Sequence, residues 1–175
     1  AAEGGTGAAK CGGDYAASLA AAEEAAEHGC GQVIWLDGAE HRWVEECGTM
    51  NIMFVTAAGE LVTPSLTGTI LDGVTRDSIL TLAPEHGLRP VERRIAIDEV
   101  FEGVSSGAIT EVLACGTAAV VTPIVGFAAP GVNGSDRRFT VGDGAPGTIS
   151  QAIRAHLLDI QYGRVEDKHG WLRQV

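Results

Sequence analysis

Lysine is nearly absent from this chain: of 175 residues, only Lys10 and Lys168 carry an ammonium side chain. Lys and Arg together number 12 against 23 Asp and Glu, a formal net charge of −11. Nucleic-acid binding needs clustered cations to neutralise phosphates. The only basic doublets are Arg93-Arg94 and Arg137-Arg138, so no nucleic-acid partner is expected. Cysteine is also sparse. Cys11, Cys30, Cys47 and Cys115 form no C-x-x-C pair, which argues against a zinc site or a redox dithiol. No secretory leader is read ahead of them, so reduced thiols in a cytoplasm are expected. The five histidines, His28, His41, His86, His156 and His169, show no metal-pair spacing. They read as surface or helix-end residues, and no metal is expected. The most apolar stretch, VLACGTAAVVTPIVGFAAP, is interrupted by threonine, glycine and proline. It falls short of the ~20 apolar residues of a membrane helix, so buried strands fit it better.

What is present suits one ordinary globular domain over residues 1–175, since no Pro/Gly/Ser-rich linker divides the interior. DYAASLAAAEEAAEHG is rich in helix formers; Asp14 is its expected N-cap and Gly29 its C-terminal stop. QVIWLD, HRWVEE and NIMFVTA read as strands, with LVTP returning after the AAGE turn as a hairpin partner. GVTRDSILTLAPEHG reads as a helix whose last turn Pro84 tightens. PVERRIAI reads as a strand and DEVFEGVSSG as a short helix capped by Asp98. EVLACG and AAVVTPIVGF read as strands about a turn, and PGVNGSD as a loop tip. PGTISQAIRAHLLDIQYG is the last helix, with Pro146 near its first turn. Strands and helices do not alternate strictly, which favours an α+β fold over a doubly wound sheet.

Lys10 sits in a glycine-rich run, GGTGAAKCGGDYAAS. A phosphate-binding P-loop would need G-x-x-x-x-G-K-[ST] after a strand. Here Ala9 precedes the lysine and Cys11 follows it, so that reading fails. By base rate a lone lysine is a solvated surface residue. Four other motifs follow in order: QVIWLDG, VEECGTMN, GTILDGVTRDS and ACGTAAVVTP. Together with KCGGDYAAS they resemble the branched-chain amino acid aminotransferases, which are pyridoxal-phosphate (PLP) enzymes of fold type IV. The resemblance runs from about Gly4 to the closing EDKHGWLRQV. It covers that family's large C-terminal domain, whose mixed strands form a pseudo-barrel surrounded by helices. The small N-terminal domain has no counterpart.

The resemblance implies a role for each matching residue. Lys10 would hold PLP as a Schiff base and carry a proton between the substrate α-carbon and the cofactor; burial would keep its amine neutral and nucleophilic. Tyr15 would bond the cofactor phenolate, or else pack its ring as an ordinary helix-start tyrosine. Glu46, selected by the spacing E-x-G-T-M-N, would keep the ring nitrogen protonated, leaving Glu45 as an ordinary surface charge. Val74 and Thr75 open a predicted helix and would hold the phosphate, as would Thr117. Thr117 and Ala118 would receive the substrate carboxylate. Leu71 and Thr49 would lie against the two ring faces, or in the core. Asp14 stands where relatives usually carry asparagine. Lys168 has no such motif around it.

The expected activity is transamination of leucine, isoleucine or valine with 2-oxoglutarate, in a cytoplasmic homodimer acting on small amino and 2-oxo acids. The alternatives are another fold type IV enzyme, a D-amino-acid aminotransferase or an aminodeoxychorismate lyase, or a truncated piece that folds without activity. The absent small domain is expected to complete the site.

Overall fold

A computed structural model describes residues 1–131 and 135–173. The chain begins with two short helices, α1 (Gly12–Ala16) and α2 (Leu19–Glu27). Strands β1 (Ile34–Leu36), β2 (Val44–Cys47), β3 (Met50–Thr56) and β4 (Glu60–Thr63) follow. Helix α3 (Val74–Leu82) runs into a 3-10 turn (Ala83–His86), then come β5 (Arg89–Glu92) and α4 (Ile97–Ser106). The remainder is β6 (Ile109–Gly116), β7 (Val120–Ile124), β8 (Gly126–Pro130), β9 (Asp136–Thr140) and α5 (Thr148–Gln161).

Strand β3 is the hub of a seven-stranded mixed sheet. Along one edge it pairs first with β2 (Glu46 opposite Asn51) and then with β4 (Phe54 opposite Val62). Its other edge pairs along its length with β6, Asn51 opposite Cys115. Among the described residues only β4 and β5 run parallel. The chain is thus α+β. The apolar run NIMFV has no polar alternation because the sheet is covered on both faces. Ile52 and Phe54 pack with Val100 and Val104 of α4, while Met53 and Val55 pack with Ile79 of α3 and with Ile153 and Leu157 of α5. Phe54, Ile52, Met53 and Val55 are all 0–1% exposed, and each such side chain contributes about 1.5–3 kcal/mol of burial free energy.

Several expected elements change in detail. The first helix is broken at residues 17–18, and Asp14 lies inside α1 rather than capping it; its Oδ1 accepts a 2.7 Å bond from the Thr6 hydroxyl. Gly29 does end α2, at φ +72°, a conformation glycine adopts at no steric cost. Pro84 lies in the 3-10 turn that tightens the end of α3. Asp98 is the second residue of α4, not its cap. The apolar stretch after β6 divides into β7 and β8, and β8 forms a separate hairpin with β9. Of the predicted PGVNGSD tip, residues 132–134 lie outside the described residues. Among the described residues no helix is long and apolar enough to cross a membrane.

One cap was not expected. Glu111, a carboxylate on β6 only 9% exposed, accepts hydrogen bonds from Ile149 N–H (2.9 Å), Ser150 N–H (2.8 Å) and the Ser150 hydroxyl (2.6 Å). It satisfies the free donors at the start of α5 in place of the usual N-cap side chain. Gly147 leaves room for it, because a Cβ there would meet the Glu111 carboxyl carbon at 2.0 Å.

Candidate functional site

The β2–β3 hairpin places the acidic residue Glu46 beside its own turn, at one end of the sheet. Its turn is two residues, Gly48-Thr49, with Cys47 opposite Met50. Gly48 has φ +58°, as the primed turns that match strand twist require. A Cβ on Gly48 would meet the Gln32 side chain at 1.9 Å, and the Trp35 indole donates to the Gly48 carbonyl at 2.8 Å. The turn is therefore pinned from outside. So short a turn makes Glu46 and Asn51 cross-strand neighbours.

Asn51 is 6% exposed, a polar side chain in a largely apolar strand. Its amide nitrogen donates to Glu46 Oε1 at 3.3 Å and to the Leu71 carbonyl at 2.9 Å. The Leu71 N–H donates to the same Glu46 Oε1 at 3.2 Å. Both donors thus converge on one carboxylate oxygen, and Glu46 Oε2 accepts none among the described residues. Burial raises the Glu46 carboxyl above its ordinary value, and the charge of Glu45 adds to the rise, while the Leu71 N–H opposes both.

Two residues beyond Leu71, Gly73 precedes α3 with no side-chain cap. The first N–H groups of that helix, at Val74 and Thr75, have no partner among the described residues and favour an anion. Val74 is 82% exposed. Gly73 is glycine for a steric reason: a Cβ would meet Asn51 Oδ1 at 2.2 Å. The β6–β7 turn, residues 117–119, lies at the same end of the sheet. Asn51 opposes Cys115, and a Cβ on Gly116 would touch Met50 at 3.4 Å. Thr117, Ala118 and Thr49 are exposed on these two turns. Val120, which closes the β6–β7 turn, has φ +58°. For a β-branched residue this costs on the order of 1–3 kcal/mol.

Glu46, Leu71, Val74 and Thr75 therefore form one cluster, with Thr49, Thr117 and Ala118 on turns at the same sheet end. Lys10 and Tyr15 do not join it by any hydrogen bond or ion pair. Lys10 is exposed, and Tyr15 is 42% exposed. The expectation for Glu45 is corrected: it is 6% exposed, not a surface charge. The face of β2 opposite Glu46 is also covered, and the Thr69 hydroxyl donates to Glu45 Oε1. Of the histidines expected at the surface or at helix ends, His86 does end the 3-10 turn, but His156 lies half-buried within α5, 3.1 Å from it between ring nitrogens. Asn51 and Gly73 were not singled out from sequence. Their signal was the two-residue turn, which pairs Glu46 with the only polar residue of NIMFV.

A larger apolar cavity of about 1040 Å³ lies between α2, α4 and the β8–β9 hairpin. Gln32, Cys47 and Met50, which flank the Gly48-Thr49 turn, line it, but Glu46, Asn51, Leu71 and the start of α3 do not.

Residues 6–127 match the family model described as amino-transferase class IV. A branched-chain-amino-acid aminotransferase of Mycobacterium tuberculosis is 51% identical over 98% of this chain and 46% of its own length. Among solved structures, the branched-chain amino acid aminotransferase of Escherichia coli superposes with a TM-score of 0.79 at 34% identity, over 99% of this chain and 52% of that one. The branched-chain amino acid aminotransferase of Thermobaculum terrenum, solved in its PLP form, gives 0.74 at 29% identity, over 91% and 47%. The chain spans about half the length of the relatives it matches.

Proposed function

The chain belongs to the amino-transferase class IV family, and from that premise we propose that it is the cofactor-holding domain of a branched-chain amino acid aminotransferase. The reaction is transamination of leucine, isoleucine or valine with 2-oxoglutarate. The observation that carries this reading is Glu46: one oxygen takes two donors, the other is open, and the uncapped start of α3 lies three residues past Leu71. An acid beside an anion-favouring helix end fits a phosphorylated pyridine, which needs a carboxylate at its nitrogen and N–H donors at its phosphate.

In this reading pyridoxal phosphate supplies an electron-withdrawing ring that stabilises charge developing at the substrate α-carbon. Glu46 would keep the ring nitrogen protonated through Oε2, the oxygen that no described donor occupies. The N–H groups of Val74 and Thr75, with the Thr75 and Thr117 hydroxyls, hold the phosphate. The Thr117 and Ala118 backbone receives the substrate carboxylate. Leu71 and Thr49 flank the ring. Tyr15 bonds the phenolate oxygen, and Lys10 Nζ carries the proton taken from the α-carbon. Residues 1–175 form a single domain, completed by a companion domain and a second subunit that order Lys10 and Tyr15 over the Glu46 cluster. Working with small amino and 2-oxo acids, the assembly acts in the cytoplasm.

The test is to add pyridoxal phosphate, reduce with borohydride and map the modified peptide. The pyridoxyl mass is expected on Lys10, with Lys10→Ala losing both label and visible absorption. Label on Lys168 alone, or a wild type that stays colourless and unlabelled with added pyridoxal phosphate, refutes the reading.

A further inference from the structure

The Asn51 side chain touches three elements that the proposed site treats separately. Its amide nitrogen bonds the Glu46 carboxylate and the Leu71 carbonyl, and its amide oxygen fills the space a side chain at Gly73 would need. Nearly all of it is buried. An amide held by two acceptors and a packed backbone has one orientation, so it transmits position between them. We propose that Asn51 is a positioning residue that sets the Glu46 carboxylate and the start of α3 as one unit, fixing the distance between acid and anion site.

Two physical consequences follow. The Asn51 donor favours the ionised carboxylate and opposes the burial that pushes Glu46 upward. Because it occupies Oε1 together with the Leu71 N–H, it leaves Oε2 as the oxygen free for the ring nitrogen. The same amide also bonds the Leu71 carbonyl, two residues ahead of Gly73, and so ties the segment leading into α3. Loss of Asn51 should therefore weaken two interactions at once, whereas loss of the Glu46 charge should weaken only one.

This proposal rests on the reading of Glu46 as the ring-nitrogen partner, so its test contains a measurement that needs no cofactor. In the 175-residue chain without cofactor, carbon-13 NMR of labelled glutamate follows the Glu46 carboxyl, assigned by its loss in Glu46→Gln. Asn51→Ala is expected to raise the titration midpoint of Glu46. In parallel, absorption titrations measure pyridoxal phosphate affinity for the wild type, Asn51→Ala, Glu46→Gln and the double variant. Asn51→Ala is expected to weaken binding about tenfold, and the two substitutions to combine non-additively, as directly bonded neighbours do. Inorganic phosphate, measured by competition, should bind Asn51→Ala more weakly but Glu46→Gln as it binds the wild type. If Asn51→Ala does not fold, the near-isosteric and uncharged Asn51→Leu, which lacks the donor, takes its place.

An unchanged Glu46 midpoint together with unchanged affinity in Asn51→Ala overturns the proposal while leaving the reading of the site intact. A raised midpoint in a chain whose wild type binds no pyridoxal phosphate overturns the reading of the site, and with it the cofactor role of Asn51. Weakened phosphate binding in both single variants overturns the claim that Asn51 alone couples the two ends.

Discussion

Replacing Gly73 by alanine isolates the contact on which the candidate site turns. Gly73 has φ −78° and ψ 130°, which alanine adopts freely, so the backbone itself carries no penalty. The cost is steric. The new Cβ would lie 2.2 Å from Asn51 Oδ1, and the amide must move off its partners. Breaking the bond to the Glu46 carboxylate costs about 1.5–3 kcal/mol and the bond to the Leu71 carbonyl about 1 kcal/mol. Stiffening of the unfolded chain returns roughly 0.4–1 kcal/mol. The net loss is about 1.5–3.5 kcal/mol, a fall in Tm of about 3–14 °C for a chain of this size. Calorimetry and urea unfolding at neutral pH measure it. Gly12→Ala is the control, because nothing lies within 4 Å of a Cβ there; it should be neutral or slightly stabilising. The mechanism also predicts that Gly73→Ala costs little in an Asn51→Ala background, where the obstructing amide is gone. A wild-type melting temperature in Gly73→Ala, or the full cost persisting without Asn51, refutes the argument.

Glu46→Gln should show a pH-dependent stability. Burial raises the folded-state value of this carboxyl, so its contribution is fully present below the unfolded value, about 4.5, and is lost as pH rises through the folded one. Glutamine does not titrate, so the variant should gain on the wild type as pH rises above about 4.5 in urea unfolding; a constant or opposite difference refutes the shift. Glu111→Ala should cost about 2–4 kcal/mol, because three donors at the start of α5 lose their acceptor in a buried setting. Circular dichroism through the unfolding transition would show it, and a change below about 0.5 kcal/mol would mean that water replaces the carboxylate.

The strands and most helix ends were legible because their signals are local. Alternation, turn glycines such as Gly29 and the position of Pro84 act within one turn or one strand. The break between α1 and α2 was not legible, since Ala17 and Ser18 are tolerated in a helix and nothing in DYAASLAAAEE forbids continuity. Strand β9 was missed because RRFT is short and carries two arginines, and it forms only as the hairpin partner of β8. In the site, Glu46 and the α3 start came from motif spacing. The Asn51–Glu46 bond spans only five residues, but the Asn51–Leu71 bond, the Gly73–Asn51 contact and the Glu111 cap join residues 20 or more apart, which no short window contains. Glu45 was misread for a related reason. Facing away from Glu46 says nothing about exposure when both sides of a strand are covered.

The hydrogen-bond ladder between β3 and β6 acts as a ruler for the two turns at its end. Neighbouring strands sit about 4.8 Å apart and advance about 3.4 Å per residue, so with Asn51 locked against Cys115 the Gly48-Thr49 turn and the loop at residues 117–119 are held at a fixed offset. Deleting one residue from either strand would slide one loop along the other and invert every side chain on that strand. Length changes in homologous chains should therefore collect in the loops and spare these two strands.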